Sequence, residues 1–268
     1  MPSLRDRFWT ARYRAKRSLP VQSLLALGVT NAGLRFAHGL DRPGAPPPAV
    51  VQDETNPLDE YFDSVTEGPG IVKWRHYFPI YHRHLAKFIG HEVHVVEIGV
   101  YSGGSLPMWR SYFGDASRIY GIDIAPECRS HEQEGVEIFI GDQASPTFWE
   151  EVLRAVPRID VVIDDGGHEA HQQIASLHCL LPHMAMGGVY ICEDILGSRE
   201  QFNSFADGIS RALSDIGGGD SNPPQPWHEH IASVHRYPQV AVFERPDRPV
   251  PSFDSVRHGT IWEPTIEL

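Results

Sequence analysis

Two hydrophobic runs that each end in a pair of acids hold the densest chemistry in this sequence: Ile159-Asp-Val-Val-Ile-Asp-Asp-Gly-Gly-His168 and Gly187-Gly-Val-Tyr-Ile-Cys-Glu-Asp194. If both runs are parallel strands, Asp164, Asp165, Glu193 and Asp194 meet at one sheet edge, because ligands of open α/β folds bind beyond the carboxyl ends of strands. Clustered carboxylate oxygens suit a hard divalent cation such as magnesium. His168 falls three residues past Asp165, in the turn that opens the next helix, so its ring can reach an oxygen bound at that cation and accept its proton. A helix-capping or core role is the plainer alternative. His171, one turn further on, either faces the same site as a substrate residue or lies on the surface. Asp164 and Asp165 alternate, which turns Asp164 to the other face of its strand, toward a second ligand or a backbone cap. The His168-Glu-Ala-His171 run also permits a non-haem iron reading with two histidines and a carboxylate. That reading leaves Glu193, Asp194 and the glycine loop upstream without a use.

The glycine loop is Glu97-Ile-Gly-Val-Tyr-Ser-Gly-Gly-Ser105. Glycines let the backbone turn tightly against a ligand, and the following helix offers free amides. An acid precedes the first glycine and the spacing is longer than G-x-G-x-x-G, which separates the loop from a nicotinamide fingerprint. Asp123 stands at the tip of the next strand, where a carboxylate binds ribose hydroxyls in nucleotide folds, and Asp142-Gln143 at the tip of the third is placed to cap an adenine ring. Acids at successive strand tips are poor neighbours for a pyrophosphate and good ones for a positively charged nucleoside, of which S-adenosylmethionine is an example.

The elements that must position these residues follow from β-branched runs alternating with helical spacing. Strands are predicted at His94 to Val100, Arg118 to Ile124, Val136 to Asp142, Ile159 to Asp165 and Val189 to Asp194, with Ile231 to Tyr237 and Gln239 to Glu244 as an antiparallel hairpin. Helices open at Ser105-Leu-Pro, where Ser105 reads as an N-cap, at Ser145-Pro146, at about Glu169 and at Glu200. This alternation gives a mostly parallel α/β sheet with right-handed crossovers. Ahead of the first strand, residues 71–84 are dense in aromatics and histidine. They read either as a helix packing Trp74, Phe78 and Tyr81 onto the sheet or as a lid that places Lys73, His76 or Tyr77 over a ligand.

Charge is divided along the chain. The first 40 residues carry seven Lys or Arg against one acid, which leaves −18 on the rest of a chain whose net charge is −12. An acidic body repels phosphate backbones and excludes nucleic acid as the main partner. Residues 1–57 are predicted to be a basic, amphipathic helical segment, read in preference to a signal peptide, followed by a proline-rich linker around Pro43, Pro46, Pro47 and Pro48. Residues 58–246 form the main domain, with 58–92 lid-like, and 247–268 a tail. No apolar run reaches the ~18 residues of a membrane span, so stable membrane insertion is not expected. Cys128, Cys179 and Cys192 show no metal or redox spacing and read as core residues of a reducing, cytoplasmic protein.

Taken together, the glycine loop, Gly121-Ile-Asp123, Gly141-Asp-Gln143, Ile163-Asp-Asp-Gly-Gly-His168 and Cys192-Glu-Asp194 resemble the metal-dependent sugar O-methyltransferases of actinobacterial antibiotic and polysaccharide pathways, of the macrocin and mycinamicin type. The resemblance covers about residues 71 to 245. It implies a Rossmann-like class I methyltransferase fold, a seven-stranded sheet with an antiparallel C-terminal hairpin. It further implies that Glu97, Gly99, Ser102, Gly103, Asp123, Asp142 and Gln143 hold S-adenosylmethionine, with Asp164 on the cofactor side. Asp165, Glu193 and Asp194 would hold magnesium, and His168 would be the general base. Lys73, Tyr77 and His171 are candidate substrate contacts. The acceptor implied is a carbohydrate-containing molecule and the assembly a homodimer. The competing classes are an oxidoreductase or hydroxylase using nicotinamide or non-haem iron, and a non-catalytic cofactor-binding partner.

Overall fold

The computed structural model describes residues 32–37, 55–196, 199–216, 224–253, 256 and 258–260. The expected basic helix around Arg5 to Arg17 and the proline-rich linker lie outside the described residues. The chain divides into two compact units, Met1–Asp53 and Glu54–Leu268. Of the first, the described residues form one exposed helix over 32–37.

The second unit is built on a seven-stranded sheet of β1 (His94–Ile98), β2 (Arg118–Asp123), β3 (Val136–Ile140), β4 (Val161–Asp164), β5 (Val189–Cys192), β6 (Ser233–Tyr237) and β7 (Val240–Glu244). Its order is β3-β2-β1-β4-β5-β7-β6. The first five strands run parallel, and β7 returns antiparallel to β5 with β6 outside it. The order reverses at β1, which puts the ends of β1 and β4 at the switch point where such sheets bind ligands. Helices α1 (Pro57–Ser64), α2 (Phe78–Leu85), α3 (Ser105–Phe113), α4 (Pro146–Ala155), α5 (Ala170–Leu180) and α6 (Arg199–Leu213) complete the layers.

Strand alternation sorts the core into two. Val95, Val161, Ile163, Val189 and Ile191 pack with Tyr81, Leu85, Trp109 and Phe113 on one face. Val96, Val162, Tyr190 and Phe243 pack with Trp149, Leu177 and Phe202 on the other. Both faces of the parallel strands are thus covered, as near-continuous apolar runs require. Each fully buried Leu or Phe contributes about 1.5–3 kcal/mol by leaving water.

Helix starts follow the sequence signals with one correction. Asn56 and Ser145 cap α1 and α4 through their side chains, each with proline in the first turn. Ser105 does not cap α3; it is the first helical residue, and Gly104 stands at the cap. The reason is steric: a Cβ on Gly104 would meet the carbonyl oxygens of Pro69 and Gly70 at 2.5 Å, so a glycine has to precede the helix where the chain from 69 crosses it. The strands also end earlier than their apolar runs suggest, so that Asp165, Glu193 and Asp194 lie just beyond β4 and β5. Trp74 lies outside α2 and is half exposed, whereas Phe78 and Tyr81 are buried in the core.

Candidate active site

A cleft of about 380 Å³ opens at the carboxyl ends of β1, β2 and β4. One end is walled by the glycine loop from Gly99 to Ser102, by Asp123 and by Asp142-Gln143; the other holds Asp165, His168 and Asp194, and residues 70–73 roof it. The two ends meet where the backbone of Gly99 lies against that of Asp165. Gly99 has φ +94°, and a Cβ there would overlap the Asp165 carbonyl oxygen. Only glycine satisfies both the left-handed turn and the close approach.

At the first end, backbone amides hold the acids. Val100 and Tyr101 donate their N–H groups to Asp123 Oδ2 at 3.0 and 2.9 Å, and Ala125 donates to Oδ1 at 2.9 Å. Burial opposes ionisation of Asp123, and the amides outweigh it, so its pKa is lowered. Asp142 is exposed and caps its own turn through Ala144 N–H at 2.8 Å. Gln143 lines the cleft with its side chain already committed. Its Nε2 donates to Asp164 Oδ1 and Ser176 Oγ, both at 3.1 Å, and its Oε1 accepts from Gly167 N–H at 2.7 Å.

Three expected cofactor contacts do not line the cleft: Gly103, which packs against the His131 ring, and Asp164 and Glu97, which lie behind the wall. Asp164 is wholly buried on the α4–α6 face and also accepts from the Tyr190 hydroxyl at 2.7 Å; burial pushes its carboxyl up to about 6. Glu97 is buried on the opposite face, where Trp109 Nε1 donates to it at 2.9 Å, and burial raises its pKa. Both sit at strand tips, but register decides the face: Glu97 pairs with Ile163 and Ile98 with Asp164.

At the second end, side chains hold the acids. Asp165, His168 and Asp194 each offer one ligand atom, and the three atoms lie within 4.8 Å of one another. Glu193 stands beside them, joined to Asp165 by Lys73, whose Nζ donates to Asp165 Oδ2 at 2.6 Å and to Glu193 Oε2 at 2.9 Å. Burial disfavours the Lys73 ammonium, and the charges of Glu193, Asp165 and Glu97 overcome it, so its pKa is raised. Burial also pushes the Glu193 carboxyl upward, against the pull of Lys73. Asp194 Oδ1 accepts from the Tyr77 hydroxyl at 2.6 Å and from Trp74 Nε1 at 3.0 Å. His171 is exposed, on the first turn of α5, and does not line the cleft.

The site is also where the backbone is strained. Four described residues other than glycine have positive φ, and three of them, Tyr101, His168 and Asp194, line the cleft. Left-handed backbone costs a residue of this kind on the order of 1–3 kcal/mol and concentrates at functional sites. Among the described residues, His168 Nδ1 and Glu193 Oε1 are buried without a hydrogen-bond partner of ordinary geometry. Orphaned donors or acceptors in a strained, acidic cleft are what a bound cation and its ligands would satisfy.

A seven-stranded sheet of this order, with a glycine loop after β1 and acids beyond β2, β3, β4 and β5, is the class I methyltransferase fold. Residues 96–195 match a family model described as a methyltransferase domain. Over 199 residues the chain is 31% identical to the 8-demethyl-8-alpha-L-rhamnosyl tetracenomycin-C 2'-O-methyltransferase of Streptomyces olivaceus, covering 66% of this chain and 52% of that protein. Over 200 residues it is 37% identical to the mycinamicin VI 2''-O-methyltransferase of Micromonospora griseorubida, covering 66% of this chain and 49% of that one. The chain therefore spans about half the length of these curated relatives. Among solved structures it is similar to the MycE methyltransferase of mycinamycin biosynthesis in complex with Mg, SAH and mycinamycin VI, with a TM-score of 0.59, 27% identity, and coverage of 71% of this chain and 53% of that one. The chain is related to the actinobacterial macrolide and sugar O-methyltransferases.

Three features of the site go beyond the sequence reading. Lys73, a candidate substrate contact, lines the cleft and joins two of the acids. Trp74 joins Asp194, which no motif announces. Tyr101 projects from the glycine loop, 78% exposed, at the mouth of the cleft; its place inside the motif was the one available signal.

Proposed function

We propose that this chain transfers the methyl group of S-adenosylmethionine to a hydroxyl of a sugar on a carbohydrate-containing acceptor, with a divalent ion, magnesium by preference, at the acid end of the cleft. The observation that carries this reading is the single continuous cleft that joins the glycine-loop end to Asp165, His168 and Asp194. Its relatives act on rhamnosyl and mycinamicin hydroxyls by their names, and one was crystallised with Mg and SAH.

The donor set fits the ion. Asp165 and Asp194 present oxygens to the cleft, Glu193 lies next to them, and magnesium takes oxygen ligands while keeping room for others. When bound, the ion would lower the pKa of a hydroxyl it contacts and fix that hydroxyl's position. The rest is the work of protein groups. His168 Nε2, 4.0 Å from Asp165 Oδ1, stands where it can accept the proton of the sugar hydroxyl. The oxygen so exposed bonds to the methyl carbon as the carbon–sulfur bond breaks. Asp123 would hold the ribose and Asp142 the nucleoside edge; Glu97, Gly103 and Asp164 support the loop and strand that present them. Tyr77 and Trp74 orient Asp194. The homodimer and the cytoplasmic location belong to the same proposal; among the described residues no helix is long and apolar enough to cross a membrane.

The test is incubation with S-adenosylmethionine and a panel of rhamnosides and deoxysugar glycosides, with and without chelator. Methyl transfer that survives chelation and Asp165→Asn would overturn the role of the metal, and no transfer to any glycoside would overturn the acceptor class. Light scattering decides the dimer.

A further inference from the structure

Residues 69–77 run as a strap over the acid end of the cleft, and three of their side chains end on the acids there. Lys73 reaches Asp165 and Glu193, while Trp74 and Tyr77 reach Asp194. The strap is pinned at one side by the close packing of Pro69 and Gly70 on Gly104, and at the other by His76 Nε2, 3.1 Å from the Pro238 carbonyl. The Lys73 side chain is 2% exposed and its charge is set among carboxylates. An ammonium in this place does electrostatically what a small cation would do: it offsets the charge of the two carboxylates it joins.

We propose that Lys73 is a tethered cation that holds the divalent-ion site in the absence of the ion, and that the ion binds by displacing the Lys73 ammonium from at least one of the two carboxylates. This rests on the metal role argued above. A divalent ion and an ammonium held on the same two carboxylates repel each other, so loading the site would push Lys73 away and with it the strap, which is also the roof of the cleft. Lys73 thereby sets metal affinity and ties metal binding to the opening of the acceptor mouth. It is a positioning residue, since it touches the acids and not the reacting atoms. A purely structural anchor would have the opposite signature, because its loss would loosen the acids and weaken the ion's hold.

The deciding measurement is magnesium affinity of the full chain by calorimetry, with S-adenosylhomocysteine present, for the native protein, Lys73→Met and Lys73→Arg. Removing the competing charge is expected to tighten magnesium binding at least about tenfold in Lys73→Met, with Lys73→Arg at or below the native affinity. Unchanged or weaker binding in Lys73→Met overturns the proposal. Since Lys73→Met leaves Glu193 buried without its counter-charge, its melting temperature is followed against magnesium. A steep rise, larger than the native protein's, supports replacement of the ammonium by the ion, and a variant that stays unfolded in excess magnesium overturns it. Trp74 supplies an independent readout. Its indole loses or changes its Asp194 partner on loading, so emission should shift on magnesium addition in the native protein and not in Trp74→Phe. A native protein that binds magnesium without any Trp74-dependent shift overturns the movement of the strap. A native protein that binds no magnesium at all overturns the metal role, and with it the basis of this inference, whereas native binding with no gain in Lys73→Met overturns the inference alone.

Discussion

Among the described residues, two clusters have the composition of a metal site, and they differ in what they leave unsatisfied. One is Asp165, His168 and Asp194 in the cleft; the other is His84, His235 and Glu244, between α2 and the C-terminal hairpin. In the second, His84 has Glu244 Oε1 and the Tyr237 hydroxyl, each at 2.9 Å from a ring nitrogen. Glu244 Oε2 accepts from Ser233 Oγ at 2.7 Å and lies 3.1 Å from His235 Nε2. Every ligand-capable atom there except His235 Nδ1 already has a named partner. The cleft cluster is the reverse: His168 Nδ1 is buried without a hydrogen-bond partner, and His168 and Asp194 sit on strained backbone. Composition and proximity are shared, so they cannot identify a site. Incomplete bonding inside a cavity does distinguish the two, because buried polar groups in a structural network are normally satisfied.

The contrast is broken or sharpened by substitution on either side. The largest effect is expected from Asp165→Asn, which removes a ligand of the proposed ion, whose stabilisation of the reacting oxygen is worth several kcal/mol, and should lower methyl transfer by about 10³- to 10⁴-fold. Calorimetry should show the loss of magnesium binding in parallel. His168→Ala should lower kcat by about 10²-fold or more, with magnesium binding kept. Were the loss confined to KM, His168 would be a binding group and not a base.

Glu244→Gln should leave methyl transfer near the native rate and lower stability by about 1.5–3 kcal/mol, the range for hydrogen bonds to a charged group. It also carries a pH signature. The hydrogen bond from His84 holds the Glu244 carboxyl below its ordinary 4.5, against burial, with Ser233 and His235 adding to it. A depressed carboxylate pKa contributes stability that is present above the unfolded value and is lost as pH falls through the folded one. The native protein should therefore lose stability below about pH 4.5 more steeply than Glu244→Gln, as thermal melts across that range would show. Ser233→Ala, which removes one neutral donor from the same carboxylate, is the smallest, at about 0.5–1.5 kcal/mol by melting and with no change in rate.

Much of this was legible in the sequence, for physical reasons that also explain the gaps. Apolar runs punctuated by Ser-Pro and glycine gave seven strands and their order of use, since a parallel sheet buried on both faces demands such runs. The acids after those runs were readable because ligands bind there. Which face each acid takes was not: Glu97 and Asp164 stand at tips yet point away from the cleft, into opposite layers of the core. Lys73 was equally opaque, because its partners lie 92 and 120 residues downstream and no local pattern marks a charge that crosses the cleft. The second cluster has the same cause, with His84 meeting Glu244 across 160 residues.

The contact between Gly99 and the Asp165 carbonyl oxygen sets a clearance. On the proposed function the donor and acceptor ends of the cleft meet where the Gly99 backbone lies against that of Asp165, so the main chain helps to fix the gap between the two reacting partners. A misplacement of about 1 Å between reacting groups is enough to cost ~10²-fold in rate. Changes of acceptor preference are therefore cheapest on the strap and at the exposed rim around Tyr101, where side chains can be exchanged without moving that gauge block.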